Sequence, residues 1–237
     1  MKKGLLHYFK VSEIVLWTIS VTMIVVSFLL FDRNNYLTLL ASIVGVTSLI
    51  FNAKGNPFGQ VLMIGFSVIY GIISFRNAYY GEMITYLGMS MPMAIVSLIS
   101  WLKNPYKGNK KEVKVNQING KEWALMFSLS ILVTITFYFI LEAFNTANLW
   151  ISTLSVTTSF LAVYMTFRRT PYFAFFYAFN DIVLIVLWVL VSIHIKEYIP
   201  MVVCFAAFLF NDIYGFIAWK RMEKRQKEMP TDEENII

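Results

Sequence analysis

Eight runs of mostly apolar residues, each long enough to cross a bilayer, follow one another at 14–31, 35–51, 58–75, 83–102, 123–141, 149–167, 170–193 and 198–219. The hydrocarbon core of a bilayer takes about 20 such residues at 1.5 Å rise each. Inside lipid every backbone amide needs a partner within its own segment, so runs of this length span as helices. The sequence therefore predicts an all-α polytopic membrane protein with eight transmembrane helices. With 58% of the 237 residues hydrophobic and 14% charged, almost nothing is left for a soluble domain. Residues 1–230 read as a single transmembrane domain, and residues 221–237 as a charged cytoplasmic tail, whose last stretch, 224–237, is expected to be disordered. The basic start MKKG resembles a signal peptide, but Glu13 adjoins the first run and no small-residue cleavage site follows, so that run is expected to be retained. A single cysteine, Cys204, excludes an internal disulfide.

Charge sets the orientation. With the N-terminus placed inside, all of the 20 lysines and arginines except Arg33, Arg76 and Lys196 fall in cytoplasmic segments, as the positive-inside rule requires. Both termini are expected in the cytoplasm, at the cell inner or plasma membrane. The net charge of +6 is then a topology signal. It is spread over short segments without a basic-aromatic platform, which argues against nucleic acid as a partner.

The runs also suggest an internal repeat. Ser100-Trp101-Leu102-Lys103 ends the fourth run and Ala218-Trp219-Lys220-Arg221 the eighth, and Pro57 and Pro171 mark corresponding starts. Spans at 35–102 and 149–219 are thus expected to form two similar three-helix units in the same orientation. The span at 123–141 links them, and the span at 14–31 is an extra. Many transporters carry their substrate site between such repeats.

Two stretches, NDIVLIVLW at 180–188 and NDIYGFIAW at 211–219, repeat one pattern. Of 14 acidic residues only Asp181 and Asp212 fall inside the apolar runs, where an acid costs about 2.5 to 3.5 kcal/mol on insertion scales and usually faces a cavity or the bundle interior. Asp181 should lie roughly 15 Å from the cytoplasmic start of its span and Asp212 roughly 10 Å from Trp219, similar depths. Helical spacing aligns Asp181 with Trp188, and Asp212 with Gly215 and Trp219. A polar substrate cavity is the expectation for Asn180, Asp181, Asn211 and Asp212, against hydrogen-bonded glue between helices. Trp219 reads first as an interface anchor, and Trp188 equally as anchor or cavity residue. Phe173, Phe176, Tyr177 and Tyr214 are aromatic faces on which a flat ring could stack.

Other chemistry is mostly absent. There is no Walker loop and no H-E-x-x-H. The two histidines, His7 and His194, sit at membrane edges, so Ser67 in the string Gly65-Phe66-Ser67-Val68 has no buried base to activate it. No lysine lies within a run. A permease remains, against a receptor or sensor and against the substrate-binding component of a transporter driven by separate ATPase subunits.

At this point the residues resemble a known family. Eight spans as one plus three plus one plus three, Gly55-Asn56-Pro57-Phe58-Gly59 before the third, Tyr79-Tyr80-Gly81-Glu82-Met83 before the fourth, Pro92-Met93 ahead of Trp101, and the paired Asn-Asp-Ile runs look like the PnuC family of vitamin permeases over about residues 35–225. The resemblance implies nicotinamide riboside as substrate, a SWEET-like fold and facilitated diffusion with trapping by cytosolic phosphorylation. It implies no cofactor and no metal, and leaves a homo-oligomer open. Family members often carry W-x-x-W where this chain has Phe173 and Phe176, and Gln after Pro-Met where it has Ala94, so carriage of another vitamin or a deoxynucleoside stays an alternative. Candidate substrate-binding residues are Asn180, Asp181, Trp188, Asn211, Asp212, Tyr214, Phe173 and Phe176. A cationic ring over aromatic faces gains about 0.5 to 2 kcal/mol, the amides suit a carboxamide or ribose, and the acids suit the charge.

Overall fold

The computed structural model describes residues 8–76 and 80–229. Lys2, Lys3, His7, Tyr79 and the tail beyond Met229 lie outside the described residues. Among the described residues eight helices are long and apolar enough to cross a membrane: α1 (Val11–Phe31), α2 (Tyr36–Ala53), α3 (Phe58–Arg76), α4 (Tyr80–Lys103), α5 (Gly120–Ala143), α6 (Leu149–Phe167), α7 (Tyr172–Ser192) and α8 (Ile199–Glu228). Several outrun their apolar stretches by a turn, because polar residues satisfy the free amides at their starts. Asn35 accepts from Thr38 N at 3.3 Å, Asn119 from Glu122 N at 2.9 Å, and Glu13 reaches back to Lys10 N at 2.8 Å. The expectation that only Asp181 and Asp212 lie inside spans is corrected accordingly: Glu13, Glu82, Glu122 and Glu142 are taken into helix ends.

Six helices close a ring. Around it α2 packs on α3, α3 on α4, α4 on α6, α6 on α7, α7 on α8, and α8 back on α2. The third helix of each three-helix unit thus meets the first helix of the other, the arrangement two parallel repeats would produce. Outside the ring, α1 covers α2 and α8, and α5 covers α6. These two keep wide apolar faces exposed, including Val15, Ile19, Leu30, Ile131, Leu132 and Phe139. Glycine permits the closest approach: a Cβ at Gly45 of α2 would lie 2.5 Å from the Phe208 ring of α8.

Corresponding turns match closely. After α2, Gly55 is left-handed (φ 65°), Gly55 N donates to Asn52 O at 2.9 Å, and Asn56 N donates to Phe51 O at 3.0 Å. After α6, Arg169 is left-handed (φ 57°), with Arg169 N on Thr166 O at 3.0 Å and Thr170 N on Met165 O at 3.2 Å. Both are Schellman-type ends, and Pro57 or Pro171 follows each, where a helix cannot simply continue.

The basic loop between α4 and α5 is ordered. Strands β1 (Pro105–Tyr106) and β2 (Asn109–Val113) pair antiparallel across left-handed Lys107 and Gly108. Val113 N donates to Gly55 O at 2.9 Å and Asn116 N to Arg169 O at 2.9 Å, so the loop stitches the two equivalent turns together. From α8, Gln226 accepts from Val115 N at 2.8 Å and donates to Val113 O at 3.1 Å. The expectation of a disordered tail is corrected for residues 224–228. They continue α8 as helix, braced by this docking and by Glu223, which pairs with Lys220 and Lys227 at 3.1 Å each.

Candidate functional site

Within the ring, α7 and α8 each bring one Asn-Asp pair into an otherwise apolar helix. Asp181 and Asp212 are both buried and lie within electrostatic range of each other across the α7–α8 contact. Cys204 of α8, Tyr86 of α4 and Tyr177 of α7 lie within electrostatic range of Asp181.

Tyr86 has no counterpart among the sequence candidates. It sits in a π-helical stretch, Thr85–Ser90, that interrupts α4 just before Pro92. Pro92 has no amide to donate, and the wider turn absorbs that gap while re-aiming side chains inward. Its ring then lies 4.3 Å, centre to centre, from Tyr70 and 5.8 Å from Phe66. Pro92 was the one signal in the sequence that could have marked this irregularity.

The asparagines diverge from the acid pair. Asn180 Oδ1 accepts from the Thr158 and Ser159 hydroxyls of α6 at 2.7 and 3.1 Å. Asn211 Nδ2 donates to Ser20 Oγ of α1 at 2.9 Å and to Ala207 O at 2.7 Å. Four buried polar atoms on four different ring helices have no hydrogen-bond partner among the described residues: Ser67 Oγ of α3, Ser97 Oγ of α4, Asp181 Oδ2 of α7 and Asn211 Oδ1 of α8. Each such atom costs about 1 to 3 kcal/mol until something pairs with it.

The aromatic candidates separate into four places. Phe173 lies near the helix ends that carry both termini, 4.9 Å from the Trp219 ring and 6.4 Å from Trp101. Phe176 packs on Trp123 of α5 at 6.4 Å. Tyr214 donates to Glu13 at 3.2 Å, toward α1. Trp188 lines a narrow cleft of about 100 Å³ on the face opposite the termini, with Tyr70, Tyr198, Asp32, Glu82 and Glu197. It packs 5.3 Å from Tyr198.

Trp219 is not a lipid-facing anchor. It and Trp101 are both fully buried, 0% exposed, and their rings lie 5.4 Å apart. Trp101 Nε1 donates to Thr166 O at 2.8 Å, and Trp219 Nε1 donates to Asn52 O at 2.7 Å. Each indole from one unit thus reaches the penultimate residue of the first helix in the other unit. With Phe173 the two rings seal the ring of helices at the termini-bearing face.

A six-helix ring sealed by aromatics at one face, with a cleft at the other and unpaired buried polar groups on its helices, is the build of a membrane transporter. The chain belongs to the nicotinamide mononucleotide transporter family, whose family model matches residues 35–221, in agreement with the PnuC resemblance. Among its relatives, the protein named nicotinamide riboside transporter PnuC from Neisseria mucosa is 25% identical over 200 residues, 82% of this chain and 76% of that protein. The one of the same name from Haemophilus influenzae is 21% identical over 194 residues, 81% and 82% of the two chains. The fold is that of a solved structure described as the crystal structure of the vitamin B3 transporter PnuC, with a TM-score of 0.78, 22% identity, and coverage of 92% of this chain and 94% of that one.

Proposed function

We propose that the protein is a facilitated-diffusion permease for nicotinamide riboside, lying in the inner or plasma membrane with both termini in the cytoplasm. The four unpaired buried polar atoms on the ring helices carry the reading. Asp181 Oδ2 and Asn211 Oδ1 are acceptors that suit ribose hydroxyls or a carboxamide, and the Asp181–Asp212 pair suits a cationic pyridinium ring. Asn180, Asp181, Asn211 and Asp212 are the proposed binding residues. Trp188 guards the outer mouth, Phe173 belongs to the inner seal, and Tyr214 and Phe176 support it from behind.

Two further observations support the reading. Among the described residues the outer cleft is lined by Asp32, Glu82 and Glu197 and by no lysine or arginine, a field that concentrates cations. Phe173 and Phe176, the departures from the family's Trp pattern, are engaged by Trp101, Trp219 and Trp123, so they alter the seal more directly than the acid pair. Both relatives above are named for nicotinamide riboside. Without energy coupling a carrier only equilibrates its substrate, so accumulation inside cells requires cytosolic phosphorylation.

The test is uptake into vesicles holding the purified chain alone. Nicotinamide riboside equilibrates without ATP, ahead of thiamine, riboflavin and neutral nucleosides, and the Asp181→Asn, Asp212→Asn double variant loses that preference for the cation. Uptake of a neutral nucleoside in place of the riboside refutes the substrate. Uptake only after ATPase subunits are added refutes the permease.

A further inference from the structure

The face that carries the termini holds a second pocket, open and about 440 Å³ in size, which the transport site does not use. Five cations line it: Lys10 and Lys54, Lys111 of the hairpin, and Arg221 and Arg225 of α8. Two carboxylates face them, and each is already engaged. Glu13, buried, pairs with Lys54 at 3.0 Å and accepts the Tyr214 hydroxyl at 3.2 Å. Glu112 pairs with Arg225 and accepts Gln226 Nε2 at 2.9 Å. Lys10, Lys111 and Arg221 are left without an acidic partner among the described residues.

The positive-inside rule explains how many bases lie on this face, but not their convergence. The three unmatched cations come from the start of α1, from the hairpin and from the end of α8. The hairpin is held among them by the Val113–Gly55 and Gln226 bonds. Tyr8 also lines the pocket. Its hydroxyl accepts from Asn56 Nδ2 at 2.8 Å, which leaves its own proton to donate. Burial pushes the Tyr8 pKa up, so that proton stays in place.

We propose that this pocket binds a phosphate group, supplied by an acidic phospholipid headgroup or by a soluble phosphate monoester. The Arg221 guanidinium offers the two parallel donors that phosphate oxygens accept, while Lys10 and Lys111 act as point charges. A phosphate there ties the start of α1 and the hairpin to α8, the helix that carries Asp212. The site stands apart from the identity of the transported molecule.

The test uses the full chain, first in detergent, titrated with inorganic phosphate and adenosine monophosphate, then in phosphatidylcholine vesicles with and without phosphatidylglycerol. Affinity and thermal midpoint are read in each. Arg221→Gln and Lys111→Gln each lower the affinity at least tenfold, whereas Lys224→Gln, on the exposed side of α8, does not. A response to adenosine monophosphate in detergent identifies the soluble ligand, and a response confined to phosphatidylglycerol vesicles identifies the lipid. No response to any of the probes overturns the proposal. So does an equal loss in Lys224→Gln, which would mean unspecific attraction to a basic face.

Discussion

Replacing Trp219 by Phe removes one indole donor from a fully buried seam and leaves the rest of the seal in place. The carbonyl it serves, Asn52 O, keeps its bond from Gly55 N at 2.9 Å, so it is not orphaned. The loss is therefore one net hydrogen bond, about 0.5 to 1.5 kcal/mol, plus the space vacated by the larger ring, where full truncation of a buried Trp costs about 3 to 5 kcal/mol. About 2 kcal/mol is expected for Trp219→Phe. Trp101→Phe is the equivalent change in the other unit: Thr166 O likewise keeps Arg169 N at 3.0 Å. The two variants should match within about 1 kcal/mol. At about 2 to 4 °C per kcal/mol for a domain of this size, each lowers the thermal midpoint by roughly 4 to 8 °C. Because the rings lie 5.4 Å apart, the double variant should fall short of additivity by about 0.5 to 1.5 kcal/mol. The assay is thermal unfolding of the wild type, both single variants and the double, in one detergent. A midpoint unmoved by Trp219→Phe, or one substitution costing twice the other, would refute the idea that the indoles are equivalent latches.

Asn180→Ala should weaken nicotinamide riboside binding at least tenfold, 1.4 kcal/mol, while moving the thermal midpoint little, since interhelical bonds in membranes average about 0.6 kcal/mol; normal binding with a lower midpoint would mean the residue only joins α6 to α7. Gln226→Ala frees the hairpin from α8 and should make residues 104–119 susceptible to limited proteolysis in inside-out vesicles with transport intact, whereas unchanged cleavage would mean the Gly55 and Arg169 bonds suffice. Asp32→Asn with Glu197→Gln should reduce the apparent affinity for the cationic riboside about threefold at low salt and not at high salt, where screening already hides the field. Burial pushes the Asp32 pKa up, so acidifying the outer solution should lower uptake at a higher pH than an ordinary aspartate would set.

The spans were legible because lipid leaves the backbone no alternative to helix, and length and hydropathy then suffice. Pro57 and Pro171 pointed to equivalent turns, and the two Asn-Asp-Ile runs to the meeting of Asp181 with Asp212. What escaped depended on partners distant in sequence. Trp219 beside a run of bases is locally indistinguishable from an interface anchor; what buries it is distant in sequence, Asn52, 167 residues away, together with Trp101 and Phe173. The charged segments 104–119 and 221–228 look solvated one at a time, and become ordered because Gln226 satisfies the hairpin's backbone. Tyr86 gained its place from a π-helical turn whose wider register no periodicity in residues 83–102 announces.

The seal also bears on how such a carrier moves its substrate. In this structure the face with the termini is closed by Trp101, Trp219 and Phe173, while the opposite face opens into the cleft beside Trp188. Opening the closed face must separate the two units where each indole grips the other's first helix. Breaking one latch alone would shear the Trp101–Trp219 contact without freeing a path, so both yield together. Two bonds at about 1 kcal/mol each, with the ring contact at about 1 kcal/mol, set a barrier-side cost near 3 kcal/mol. A state that much higher is populated at about 1%, within the range of minor conformers that ligands select. The unpaired atoms at Ser67, Ser97, Asp181 and Asn211 could supply that sum, because a substrate that pairs even two of them recovers about 2 to 6 kcal/mol. To drive the change, it must pair them better with the seal open than with it closed.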